Sequence, residues 1–83
     1  YRLSAEMGLH HAQHSLGWMY KKGHGVPQDY TLAHMWWNIA GSGGYVDALN
    51  ERKHLEKEMT PSQIEKAQEM ARNWRPKFLK PKK

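Results

Sequence analysis

Cysteine is missing from this chain, and with it disulfides, zinc–thiolate sites and thiol nucleophiles, although its absence does not fix a compartment. Long apolar runs are missing too: the longest is only a few residues, far short of a bilayer span. No segment alternates apolar and polar residues as a half-buried strand would. Acids are missing from the last nine residues, RPKFLKPKK, which hold Arg75, Lys77, Lys80, Lys82 and Lys83. The whole chain has 13 basic and 8 acidic residues, so without that tail the charges balance and residues 1–74 are formally neutral. A folded, basic nucleic-acid surface is thereby excluded, and any attraction to phosphate or anionic lipid belongs to the tail. An initial Met and a signal-like leader are also absent, so the chain is expected to be a piece of a longer protein.

What is present fits 83 residues of one small domain, with a thin core and stability on the order of 5 kcal/mol. The chain superposes on itself. A shift of 36 places Gly8 on Gly44 and Ala12 on Ala48, so SAEMGLHHA matches AGSGGYVDA in its small residues. A later shift of 34 places Ala33 on Ala67 and Trp37 on Ala71. One whole unit, the end of a preceding one and a degenerate last unit follow from this.

Each unit reads as two helices. Leu9, Ala12, Leu16, Met19 and Tyr20 have helical spacing, Lys21 and Lys22 suit a helix C-terminus, and Gly23 suits the residue after it. Pro27 and Asp29 open a second helix whose inward stripe is Tyr30, Ala33, Trp37 and Ala40, ended by Gly41, Gly43 and Gly44. Tyr45, Val46, Ala48, Leu49, Arg52 and Leu55 make a third. Thr60, Pro61 and Gln63 form a capping box for a fourth, with Ile64, Ala67, Met70, Ala71 and Trp74 inward and Pro76 as its stop. The expected spans are 9–22, 30–42, 45–58 and 61–75, with a short helical piece before Gly8. Gly17 lies inside a helix at a cost of about 1 kcal/mol against Ala, and close backbone approach is the compensation expected of it.

The stretch GLHHAQHSLGWMYKKGHGVPQDYTLAHMWWNIAGSGG resembles the Sel-one-like repeat family, α-solenoids related to tetratricopeptide repeats, many of whose members are bacterial. The structural signature that carries the resemblance is Gly8, Ala12, Leu16, Gly17, Tyr20, Gly23, Gly25, Asp29, Ala33, Ala40 and Gly44. The ending MTPSQIEKAQEMARNW is similar to the closing helix of bacterial members, whereas Gly41 stands where the family usually has Ala. The resemblance implies an all-α solenoid of antiparallel helix-turn-helix repeats, about two units plus a partial N-terminal helix. Residues 1–75 would form the solenoid fragment and 76–83 a basic, disordered tail. It implies a protein–protein interaction scaffold or adaptor, with another protein or a peptide as partner, no enzyme activity and no cofactor. Because many bacterial relatives are exported, an exported or periplasmic location is an implication of the same kind. Attachment of the basic tail to nucleic acid or anionic membrane is the alternative.

Gly23-His24-Gly25 is not a phosphate loop, for which a preceding strand and a Gly-Lys-Ser/Thr ending are needed; it is read as a joint between helices, with Val26 plugging the end of the core. His10 and His14 share a face at i, i+4 and are a conceivable metal pair, but HHAQH has no Glu to act as base, and a solvated helix face is the preferred reading. His24, His34 and His54 are scattered. Trp36 and Trp37 are adjacent and are not expected both to point fully inward. Either one is an exposed anchor, or both lie in seams between helices, the option favoured for a solenoid. His14, Trp36 and Trp37 are the candidate partner-binding residues. Glu51, Glu56, Glu58, Glu65 and Glu69 read as solvated faces, and no Ser–His–Asp arrangement is evident. The opening edge, with Tyr1, Leu3 and Leu9, lacks a cap, so weak self-association is expected there.

Overall fold

The structure, a computed structural model, describes residues 9–74. Four helices make up these residues: α1 (His10–Lys22), α2 (Tyr30–Ser42), α3 (Val46–Glu56) and α4 (Pro61–Asn73). No strand occurs among the described residues. The proposed helical piece before Gly8, Gly8 itself, Pro76 and the basic tail lie outside the described residues.

α2 is the centre of the fold, and α1, α3 and α4 all pack on it. Its sequence explains this. YTLAHMWWNIAGS is apolar almost all round, and Ala33, His34, Met35, Trp36, Trp37, Ile39, Ala40 and Gly41 are buried. A helix without a polar face has to be covered on several sides. The core divides accordingly. Ala12 and Leu16 of α1, Met35, Trp36 and Ile39 of α2, and Ala67 of α4 form one cluster. Ala33, Trp37 and Ala40 of α2 meet Ala48 and Leu55 of α3, and Met59 beyond it, in the other.

The helix ends are local chemistry. At the end of α1, Gly23 takes φ 73°, the left-handed conformation that an L side chain resists. Its amide and that of His24 donate to the Met19 carbonyl, while Gln28 Nε2 donates to the Lys21 carbonyl at 2.8 Å and the Asp29 amide to that of Tyr20 at 2.9 Å. The Gly-x-Gly segment is thus a helix joint whose donors satisfy the carbonyls that α1 leaves open. Asp29 caps α2 by accepting from the Leu32 amide at 3.1 Å. Thr60 and Gln63 form the reciprocal capping box of α4, at 3.2 and 2.9 Å.

The tightest crossing is that of α1 and α2. A Cβ built on Gly17 would stand 2.3 Å from Nε1 of Trp37, so only glycine leaves room for the indole. The ring lies flush on α1 and donates from Nε1 to the His14 carbonyl at 3.0 Å. Gly41 similarly lies under the Leu49 side chain of α3, where a Cβ would meet Cδ2 at 2.2 Å.

Leu9, expected at the uncapped opening edge, is the exposed N-cap residue of α1, 58 % accessible. Val46 opens α3 with its side chain outward, 63 % accessible. Both stand at the first turn of a helix, where apolar spacing has not yet settled which side is covered.

Candidate interaction surface

The two adjacent tryptophans are both inside. Trp37 is fully buried and Trp36 only 6 % exposed. They diverge into different clusters: Trp36 meets the Trp74 ring edge-on at 5.8 Å on the α4 side, and Trp37 meets Trp18 edge-on at 5.2 Å on the α1 side. Coverage of α2 from three sides lets neighbours in sequence be inside together. Neither presents much surface to a partner in this arrangement.

The histidine face of α1 is not simply solvated, which corrects the sequence reading. His14 is held between aromatic rings, with its centroid 4.9 Å from Tyr45 and 6.4 Å from Trp37. Its Nε2 lies 3.6 Å from the Glu51 carboxylate of α3, and only 16 % of its side chain is exposed. His11 is exposed and meets Tyr45 edge-on at 6.1 Å. The His10 ring sits where a Cβ on Gly43 would be. The N-terminal half of α1 is thereby pinned against the turn between α2 and α3. Among the described residues, no three His, Cys, Asp or Glu side chains are grouped so as to hold a metal ion.

His34, set aside as scattered, is the residue the sequence hid. It is fully buried, and its Nε2 lies 2.7 Å from Oε2 of Glu56. Burial pushes its pKa below the ordinary 6.5; Glu56 pulls upward and Arg52 adds to the lowering. The neutral ring carries its proton on Nε2, because a carboxylate only accepts. Arg52 reaches Asn38 at 2.8 Å and approaches Glu56 at 3.8 Å, so α3 is tied to α2 by a chain of polar groups. Tyr30 donates to Glu58 at 3.2 Å, and that bond first of all raises its pKa above 10.0. Glu56 and Glu58 are therefore hydrogen-bonded carboxylates, not merely solvated ones, and Glu51 lies near His14 without a hydrogen bond to it. Their partners lie 28 or more positions away for Glu51 and Glu58, or on a different helix for Glu56, and helical periodicity carries no trace of such contacts.

The remaining signature residues are structural. Ala12, Leu16, Ala33 and Ala40 are buried, Tyr20 is half-buried between the two clusters, and Gly44 takes φ 105° in the turn before α3. Hairpins of helices packed through small residues around a shared central helix define an all-α, α-solenoid type of repeat protein. A family model for the Sel1 repeat matches residues 10–45. That stretch is a Sel1 repeat and belongs to the Sel1-like repeat family, whose units are non-enzymatic scaffolds that mediate protein–protein contacts. No curated protein matches the chain.

Proposed function

We propose that the chain is an adaptor module that holds another protein, or a peptide segment of one, against its helical repeat. The observation that carries this reading is the Sel1 repeat spanning α1 and α2. Its packing supports it: the buried His34, bonded to the partly exposed Glu56, ties α2 to α3 and is placed to hold the scaffold together. Residues 1–75 are assigned to the repeat fragment and 76–83 to a basic tail.

The test is partner capture at rising salt, with the full chain and with a chain ending at residue 74. Binding that survives truncation and moderate salt supports the adaptor. Binding lost on truncation, with a steep salt dependence, overturns it in favour of tail attachment to a polyanion.

A further inference from the structure

We infer that the C-terminal half of α1 is a docking surface for an acidic peptide segment, held by Lys21 and Lys22 where they lie over Trp18. This rests on the adaptor reading above and adds to it a place and a partner chemistry.

Four observations converge. First, the Trp18 ring is braced from beneath by the buried Trp37, whose own position is fixed by Gly17 and by its bond to the His14 carbonyl. Trp18 is only half-buried, so it offers a rigid apolar platform at the surface. Second, two ammonium groups converge on that one ring, with Lys21 Nζ 5.2 Å and Lys22 Nζ 5.4 Å from its centroid. Such contacts hold a cation with about 0.5–1 kcal/mol each at an exposed site. Third, these charges have no acidic partner among the described residues. α1 contains no Asp or Glu, and no ion pair among the described residues involves either lysine. Fourth, loop donors take the carbonyls of Met19, Tyr20 and Lys21, so neither ammonium group is needed to cap the end of α1.

The occupant follows from charge complementarity. Two like charges held over one aromatic ring match adjacent carboxylates on a peptide. A nucleic-acid strand needs a basic track along several phosphates. Residues 1–74 are formally neutral, and Lys21 and Lys22 alone do not make such a track.

The probe is a capped hexaglutamate peptide, titrated into the isotope-labelled full chain and followed by the Trp18 indole N–H signal, which Trp18→Phe assigns. The expected result is a saturable shift at Trp18 and at the Lys21 and Lys22 amides, diminished by salt. In Lys21→Gln with Lys22→Gln, whose fold is checked by circular dichroism, affinity should fall roughly tenfold, as the loss of two exposed ion pairs implies. The absence of a shift would overturn the proposal. So would an equal response to hexaglutamine, or equal or tighter binding of a thymidylate hexamer at the same signals. A captured partner protein that binds the double-Gln variant as well as the parent would remove this surface while leaving the adaptor intact.

Discussion

Gly17 decides how α1 meets α2. Within a helix, Ala is favoured over Gly by about 1 kcal/mol, so Gly17→Ala would stabilise an exposed helix. Here the added methyl meets the indole of Trp37, which is fully buried and hydrogen-bonded to the α1 backbone. The overpacking cost of about 1–3 kcal/mol exceeds the propensity gain. Gly17→Ala should therefore melt several degrees below the parent in a thermal scan, and an equal or higher melting temperature would show that the crossing is looser than described. His34 makes a pH prediction. Its folded pKa is below 6.5, so as pH falls through that value the unfolded chain takes up a proton that the native state does not. Stability is present above about 6.5 and is lost as pH falls toward the folded value. The urea midpoint should drop between pH 7.5 and 5.5, and the drop should be smaller in His34→Gln, which can still donate to Glu56. Identical pH dependence in the two chains would mean that His34 is not the group responsible.

The helices themselves were largely legible in the sequence, because their boundaries are written in short-range chemistry. Thr60, Pro61 and Gln63 start α4 within a few neighbouring residues, and Asp29 and Gly23 mark their boundaries equally locally. Observed limits fall within two residues of those expected, so α3 ends at Glu56 where 58 was expected. Contacts between elements were not legible. Nothing near His34 in sequence announces Glu56, and nothing near His14 announces Glu51, because those pairs form only once α3 lies beside α1 and α2. The fate of Trp36 and Trp37 also depends on α4, which covers a side of α2 that the hairpin alone leaves open. Since capping is local, its removal should be local in effect. Thr60→Ala should cost about 1 kcal/mol in urea unfolding, with α4 amides exchanging sooner than those of α2. Uniformly faster exchange would indicate that α4 does not open on its own.

At the scale of the molecule, one helix carries the core and three depend on it. Ala33 and Ala12 are the small residues at these crossings, 0 % and 6 % exposed. Ala33→Trp or Ala12→Trp should unfold the domain, because overpacking takes a large share of a small domain's stability. The exposed His11 should tolerate Ala with little change in melting. Ala33→Trp as stable as the parent would misplace the inner face of α2. Leu9 and Val46 are both exposed, and contacts of His10 with Gly43 and His11 with Tyr45 bring the ends that bear them together. Apolar surface at that edge favours weak self-association, to be read by sedimentation across a concentration series. A strict monomer at high concentration would contradict it, as would a dimer undisturbed by Leu3→Glu with Leu9→Glu.

Site-specific photocrosslinking tests the adaptor role most directly. A photoreactive side chain is placed at Ser15, on the same side of α1 as Trp18 by helical spacing, and in a second chain at Ser62, on the exposed first turn of α4. A protein adduct from Ser15, reduced by Lys21→Gln with Lys22→Gln and absent from Ser62, is the expected result. No protein adduct from either position, or adducts from Ser62 alone, would contradict binding along α1.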